Sequence, residues 1–89
     1  MNKPICDHLK NIKQLKKAEK YECEECIKTS DRWVHLRVCQ ECGVTLCCDN
    51  SFNKHASKHA HQSGHPVISS AEPGEKWLYC YEDKAYLNY

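Results

Sequence analysis

The chain of 89 residues carries a formal charge of +1, which gives no reason from composition to expect a nucleic-acid or membrane partner. A single domain of this length, residues 1–89, buries too little surface to be comfortably stable on its core alone, so cross-links are expected. Its eight cysteines and six histidines offer either disulfides or metal ions as those cross-links.

The first residues, MNKPICDHLKNIKQ, lack the apolar segment and the small-residue cleavage site of a secretory signal. No apolar run in the sequence is long enough to span a bilayer. These features predict a soluble, cytoplasmic protein without a membrane partner. Thiols stay reduced in that compartment, so metal binding is favoured over a disulfide framework.

A lysine-rich arm comes first, and either a short helical turn or an irregular segment fits its pattern. Its lysines are Lys10, Lys13, Lys16, Lys17 and Lys20. They raise a nucleic-acid-binding finger as one alternative function. Glutamates follow at once and no aromatic residues interleave, so a solvated charged surface is favoured and nucleic acid is not favoured as a partner.

Two short strands are predicted in the middle of the chain. Residues 32–39 alternate polar and apolar side chains, the pattern of a strand with one apolar face. The stretch CGVTLCC, residues 42–48, predicts a turn through Gly43 followed by a second short strand.

One main helix is predicted over about residues 51–62, where Asn50 or Ser51 can cap its start and Ser63-Gly64 ends it. The stretch HPVISS then predicts a short strand, EPGE a turn, and KWLYCYEDKAYLNY one closing strand crowded with aromatic residues. The sequence therefore predicts an α+β domain with a short antiparallel sheet and one main helix.

Two Cys-x-x-Cys pairs, Cys23/Cys26 and Cys39/Cys42, can each wrap one zinc ion, and structural zinc needs two further ligands at each pair. The remaining donors are Cys6, His8, one of Cys47 and Cys48, His55, His59, His65, Cys80 and Asp83. With the two pairs they make twelve ligands, enough for three tetrahedral zinc sites. Three zinc ions are expected, or two if the last donors do not form a site.

Catalytic zinc is not favoured by this arrangement. His55 and His59 have the spacing of a metalloprotease motif, but that motif needs a glutamate after the first histidine, and Ala56 stands there. No group of donors combines three protein ligands with an obvious general base, as an open catalytic site would. The sequence predicts a protein that is not an enzyme.

These motifs resemble the ubiquitin-specific-protease-type zinc finger, the ubiquitin-binding zinc finger of deubiquitinases and of a histone deacetylase. The resemblance covers nearly the whole chain. It rests on CDH at Cys6, CEEC at Cys23, RWVHLRVCQECG at Arg32, CC at Cys47, HASKHAHQSGHPV at His55 and WLYCYED at Trp77. The stretches CCDNSFNKHA and EPGEKWLYCYED resemble the stand-alone bacterial branch of the family.

The resemblance implies an interleaved cross-brace of zinc sites. One zinc would take Cys23, Cys26, Cys47 and His55, and a second would take Cys39, Cys42, His59 and His65. A third would take Cys6, His8 and Cys80, with Asp83 where three-zinc members of the family have a cysteine. Aspartate is an acceptable zinc ligand, so a site with two cysteines, one histidine and Asp83 is expected.

The adjacent Cys47 and Cys48 leave the ligand of the first site ambiguous. Cys48 has the family's usual spacing to His55, whereas the spacing from Cys42 favours Cys47. We choose Cys47, because its distance from the second Cys-x-x-Cys pair suits the turn and strand better.

In the family, the equivalents of Trp33, Tyr81 and Tyr86 help to line a pocket for the Gly-Gly tail of ubiquitin. That pocket also uses an arginine in a Cys-Gly-Arg motif, and Asp49 stands in its place here. An anion in place of a cation predicts weak or no binding of the ubiquitin tail. Arg32 or Arg37 is the candidate substitute if a carboxylate is bound at all.

The predicted function is a zinc-binding module that interacts with a protein or peptide, such as a peptide's carboxyl-terminal tail. One alternative is a purely structural or metal-holding zinc protein without a dedicated pocket. The other is the nucleic-acid-binding finger that would use the lysine arm.

Overall fold

The computed structural model describes residues 7–10, 12 and 14–88, and these residues form one sheet of five antiparallel strands. The strands are β1 (Leu36–Cys39), β2 (Thr45–Cys47), β3 (Val67–Ser70), β4 (Trp77–Cys80) and β5 (Ala85–Asn88). Their order in the sheet is β2-β1-β3-β4-β5. The helices of the described residues are α1 (Asp7–Lys10), α2 (Cys26–Thr29) and α3 (His55–Ser63). The predicted α+β class is confirmed.

Two clusters of buried side chains form the core, and each contains cysteines that sequence analysis assigned to zinc. The first cluster consists of Cys23, Cys26, Leu36, Leu46, Cys47 and Ala56. The second consists of Leu9, Val67, Leu78 and Cys80, with Ile12 and Leu15 of the N-terminal arm packed against it. The predicted zinc ligands are therefore part of the apolar core of this small domain.

The main helix begins later than predicted, at His55 instead of about residue 51. Neither Asn50 nor Ser51 caps it, and the N-cap residue is Lys54, in a left-handed conformation with φ 50°. The buried hydroxyl of Ser51 instead accepts a hydrogen bond of 2.8 Å from the backbone N–H of Val34. Ser51, one of the two residues predicted to cap the helix, thus binds the segment before β1 instead. The predicted end of the helix is confirmed, since Gly64 follows it with φ 74°.

The predicted closing strand is two strands, β4 and β5, joined as an antiparallel hairpin. The polar run Glu82-Asp83-Lys84 forms the turn, and Lys84 has a left-handed φ of 52°. The hairpin register pairs Tyr79 with Tyr86, which places both rings on one face of the sheet.

The N-terminal arm is fastened to the sheet through Gln40, a buried residue of the second Cys-x-x-Cys segment. Its Oε1 accepts a hydrogen bond of 2.9 Å from the backbone N–H of Lys16, and its Nε2 donates to the Lys16 carbonyl at 3.0 Å. Nε2 also lies 2.8 Å from the hydroxyl oxygen of Ser69 on β3.

No helix of the described residues is long and apolar enough to cross a membrane.

Candidate metal centres and the aromatic cleft

Four donors meet at the first candidate metal centre, centre one: Cys23, Cys26, Cys47 and His55. The three sulfur atoms lie 3.3–3.5 Å from the Nδ1 atom of His55, and the sulfurs of Cys26 and Cys47 are 3.8 Å apart. Ideal zinc bond lengths in a tetrahedron give edges of roughly 3.6 Å between sulfur and nitrogen and roughly 3.8 Å between sulfurs. The donor set fits a zinc ion.

Centre two consists of Cys39, Cys42, His59 and His65. The Sγ atom of Cys39 lies 3.6 Å from Nδ1 of His65, and that of Cys42 lies 3.4 Å from Nε2 of His59. These separations also match the edge of a zinc tetrahedron. The structure thus places Cys47, and not Cys48, with the donors of centre one. The other seven donors of the two centres also group as the resemblance implied.

The two centres interleave along the chain. Centre one takes the first Cys-x-x-Cys pair and centre two the second, after which Cys47 and His55 return to centre one and His59 and His65 return to centre two. The helix α3 supplies one histidine to each centre because His55 and His59 are one helical turn apart. Zinc binding would therefore cross-link segments that are distant in sequence.

Centre three contains His8, Cys80 and Asp83, whereas Cys6 lies outside the described residues. The Nδ1 atom of His8 lies 3.1 Å from Oδ2 of Asp83 and 3.5 Å from the sulfur of Cys80. The other ring nitrogen, Nε2, is 3.1 Å from Oε2 of Glu82. A carboxylate on the outer nitrogen of a metal-ligating histidine fixes the ring's orientation and tautomer.

Two of the thiols, Cys26 of centre one and Cys39 of centre two, are costly to ionise without a cation. Burial, followed by the neighbouring Cys23, raises the pKa of the Cys26 thiol to about 12. Burial likewise raises the pKa of Cys39. Burial lowers the pKa of His59, with the charge of His65 as a second cause, which keeps that imidazole neutral and ready to bind a metal. A divalent cation compensates the thiolate charge, so metal binding and folding are coupled here.

The remaining cysteine and histidines lie outside the three centres. The buried thiol of Cys48 lies 3.7 Å from the hydroxyl oxygen of Ser51. His35 and His61 are exposed.

A cleft of about 210 Å³ lies on one face of the sheet, and we call it the aromatic cleft. Its charged and aromatic lining residues are Arg37, Asp49, Trp77, Tyr79, Tyr81 and Tyr86. The strand register explains their meeting, because Ile68, Tyr79 and Tyr86 are directly paired across β3, β4 and β5. Trp77, two residues before Tyr79, points to the same face.

The rings of the cleft contact one another edge to face or tilted. Tyr86 lies 5.6 Å from Trp77 and 4.6 Å from Tyr79 between ring centroids, and Tyr79 lies 5.1 Å from Tyr81. Such pairs stabilise each other beyond the burial of their surface. Tyr86 nevertheless keeps 68% of its surface exposed.

Arg37 is held in the cleft by contacts on several sides. Its guanidinium carbon lies 4.7 Å from the centroid of the Trp77 ring. Its Nη1 donates a hydrogen bond of 2.9 Å to the Leu36 carbonyl and lies 3.4 Å from the Ser70 hydroxyl oxygen. Only 14% of the side chain is exposed, so this cation is fixed in place.

Burial raises the pKa of Tyr81, and the negative charge of Asp49 raises it further. Burial also raises the pKa of Tyr79, followed by the effects of Tyr86 and Asp49. Both tyrosines therefore keep their hydroxyl protons at neutral pH and offer neutral donors to a ligand.

Of the four residues expected to line a ligand pocket, Asp49, Tyr81 and Tyr86 line the aromatic cleft and Trp33 does not. Trp33 packs instead against the first core cluster, beside the cysteines of centre one. The reason is that β1 begins only at Leu36, so the strand alternation expected from residue 32 does not extend back to Trp33.

Sequence reasoning did not assign Trp77 or Tyr79 to the pocket and named Arg37 only as a substitute cation. A signal was available in WLYCY, where the alternation of residues 77, 79 and 81 puts three rings on one side of a strand. The position of Arg37 depends on the pairing of β1 with β3, which no local pattern encodes.

Comparison with known proteins extends these observations. The family model described as a zinc finger in ubiquitin hydrolases and other proteins matches residues 23–89. The chain is 31% identical over 83 residues to ubiquitin carboxyl-terminal hydrolase 44 of Ailuropoda melanoleuca, a match that covers 84% of the chain. It is 32% identical over 79 residues to the NAD-dependent deacetylase sir2A of Dictyostelium discoideum, covering 89% of the chain. The chain spans only 11% and 13% of the lengths of these two relatives.

A solved structure is also similar over almost the whole chain. The solution NMR structure of protein RPA1320 from Rhodopseudomonas palustris is 41% identical and superposes with a TM-score of 0.83. The match covers 99% of this chain and 84% of that protein.

Proposed function

This chain belongs to the family of zinc fingers found in ubiquitin hydrolases and other proteins, and from that premise we propose that it is a module that binds a protein or peptide in its aromatic cleft. The zinc ions would have a structural role. The surface, and not the metal, would carry the function.

The donor sets support a structural role for zinc. Centres one and two each offer four protein ligands, which leaves no open coordination position of the kind that a catalytic zinc needs. When bound, zinc supplies cross-links between segments that the small core holds only weakly. We therefore propose that the chain is not an enzyme, and that it works in the cytoplasm, where its thiols stay reduced.

The named relatives support an accessory role for the matched region. One relative is named as a hydrolase and the other as a deacetylase, and this chain matches about a tenth of each. Two different chemistries share this region, so it is better understood as a binding module than as the part that performs either reaction.

The observation that carries the proposal is the aromatic cleft itself. Four aromatic rings and one fixed guanidinium line a concave site on the sheet face, and Tyr86 remains mostly exposed there. Concave sites with apolar walls and a few placed polar groups are the usual form of ligand pockets. A purely structural zinc protein has no need of such a site.

The nucleic-acid alternative has less support. Lys20 of the arm lies beside Glu19 and Glu22, and Lys16 and Lys17 share a surface with Glu72 and Glu75. The arm's Leu15 packs onto the second core cluster. A mixed-charge surface attracts phosphates weakly compared with a continuous basic face.

A peptide-library titration tests the proposal. Peptides with free and with blocked carboxyl termini are added to ¹⁵N-labelled, zinc-loaded protein, and we expect resonance shifts at Trp77, Tyr79 and Tyr86. The variant Tyr86→Ala should lose binding, whereas Ile27→Ala, which changes an exposed apolar residue outside the cleft, should keep it. Peptides that shift only residues elsewhere, or no peptide binding at all, would overturn the proposal.

A further inference from the structure

Two opposite charges line the aromatic cleft without neutralising each other. Arg37 and Asp49 both line it, yet no ion pair joins them among the described residues. The ion pair formed by Arg37 is with Glu75, at 4.0 Å. Asp49 is exposed, so its carboxylate is accessible from solvent.

Arg37 is prepared to receive an anion. Its hydrogen bonds to described residues come from Nη1, which leaves the Nε and Nη2 donors for a ligand. The ring of Trp77, with its centroid 4.7 Å from the guanidinium carbon, restricts the position of the guanidinium, and a restrained guanidinium suits the bidentate recognition of a carboxylate.

Asp49 is suited to a cation in the same cleft. A carboxylate attracts an ammonium or guanidinium group, and the neighbouring tyrosine rings can pack against the aliphatic stem of a lysine or arginine side chain. The volume of about 210 Å³ lies below the range of about 300 Å³ upward that is typical of pockets for drug-sized molecules. The cleft therefore has room for a single residue and not for a long segment.

We propose that the aromatic cleft selects the carboxyl-terminal residue of a peptide when that residue is lysine or arginine. Arg37 binds the terminal carboxylate and Asp49 binds the cation of the side chain. This specificity rests on the proposed peptide-binding function and adds the chemical class of the ligand to it.

The two charges contribute unequally. The carboxylate contact is made by a largely buried guanidinium, so blocking the carboxylate as an amide should weaken binding roughly 30-fold or more. The contact at Asp49 is exposed to solvent, so replacing the terminal lysine by alanine should weaken binding only about 2-fold to 5-fold. A terminal glutamate should bind more weakly than alanine, because it brings a like charge to Asp49.

Calorimetric titration of the zinc-loaded chain tests this with one peptide scaffold and varied ends. The ends are free-acid lysine, amidated lysine, free-acid alanine and free-acid glutamate. Free lysine is titrated as well, because it carries the same carboxylate and side-chain ammonium, with an α-ammonium where the peptide has an amide. We expect the free-acid lysine peptide to bind most tightly of all five ligands.

Variants separate the two contacts. Asp49→Asn should remove the preference for lysine over alanine and leave the requirement for a free carboxylate, whereas the matched control Glu41→Gln, at an exposed site outside the cleft, should change neither. Arg37→Lys should weaken binding of all free-acid peptides. If Arg37→Lys does not fold, the comparison of free-acid and amidated peptides tests the same contact in the wild-type chain.

The failures are distinguishable. Equal affinity for lysine and alanine ends, or an unchanged preference in Asp49→Asn, would overturn the specificity and leave the peptide-binding function intact. Free lysine binding as tightly as the peptide would overturn the assignment to a peptide end. The absence of binding by every peptide would overturn the proposed function itself.

Discussion

The backbone N–H of His55 donates a hydrogen bond of 3.2 Å to the sulfur of Cys47, and the Nδ1 atom of the same histidine lies 3.5 Å from that sulfur. The sulfur thus replaces a side-chain cap at the start of α3, where Lys54 provides none. One cysteine therefore serves both the metal centre and the first free N–H of the helix.

We expect Cys47→Ser to lose one zinc ion and most of its folded population, because structural zinc contributes directly to folding. Cys48→Ser should keep its zinc and lose about 1 kcal/mol of unfolding free energy, since its thiol lies outside the three centres, 3.7 Å from the hydroxyl of Ser51. Elemental analysis and thermal melting compare the two variants. The opposite ranking would show that Cys48 is the ligand.

Metal-ligand spacing was the most informative part of the sequence. Of the twelve predicted donors, Cys6 is not described and the other eleven lie together in three groups. Zinc requires cysteine, histidine or carboxylate ligands, and the chain has few further cysteines and histidines that could have been chosen instead. The choice between Cys47 and Cys48 rested on the short turn after Cys42. Because that turn is formed by residues adjacent in sequence, the spacing from Cys42 was sufficient to predict which cysteine is the ligand.

Features that depend on tertiary contacts were harder to predict. The helix start was misplaced because Ser51 uses its hydroxyl to bind Val34, a residue distant in sequence. The closing segment was predicted as one strand because aromatic residues with high strand propensity stand on both sides of the turn at Lys84, and the turn itself contains no glycine or proline. Trp33 was expected in the pocket by resemblance to the family, and here it packs against the first core cluster because β1 begins only at Leu36.

Removal of the Gln40 side chain should detach the N-terminal arm. Gln40→Ala leaves the backbone N–H and carbonyl of Lys16 without their partners, and we expect a loss of about 2 kcal/mol of unfolding free energy. The neighbouring Glu41→Ala changes an exposed side chain and should stay within about 0.5 kcal/mol of the wild type. Denaturant unfolding with excess zinc measures both. Equal effects would show that the hydrogen bonds of Gln40 to the arm do not contribute to stability.

The zinc content of the purified chain should be three ions, and chelation should unfold it, because the core is small and each centre cross-links distant segments. Asp83→Ala should lower the content to two and leave the other centres loaded. The matched variant Asp49→Ala, at a carboxylate that belongs to none of the three centres, should keep three. Two zinc ions in the wild type, with stability unaffected by Asp83→Ala, would show that centre three does not bind zinc.

Glu82 should act on zinc through His8, whose Nε2 lies 3.1 Å from its carboxylate. We expect Glu82→Gln to weaken the third zinc about 10-fold, the lower end of such effects, because both side chains are partly exposed. Competition with a chromophoric chelator measures the change, with Glu19→Gln as an exposed control. An unchanged affinity would mean that Glu82 does not contribute to the orientation of the histidine.

The last prediction concerns ubiquitin, whose tail ends in a carboxylate and carries no cation on its last residue. Its carboxylate can reach Arg37, but its last residue brings no cation to Asp49, whose like charge in the same cleft repels the tail, so the wild-type chain should bind ubiquitin more weakly than a peptide that ends in lysine. Asp49→Arg places a second cation in the cleft beside Arg37 and should strengthen binding at least about 10-fold at low salt. The gain should shrink as salt is added, since Asp49 is exposed and its field is screened.

NMR titrations with ubiquitin, and with ubiquitin that lacks its two terminal glycines, measure this prediction. Tail-dependent shifts at Trp77, Tyr81 and Tyr86 that are larger in Asp49→Arg than in the wild type would establish that the charge of Asp49 weakens the binding of this ligand in a competent cleft. Micromolar binding by the wild type that disappears with the two glycines would refute the prediction. In that case the fixed guanidinium of Arg37 would be sufficient to hold the carboxylate, because it is the more buried of the two charges and is the less screened by solvent.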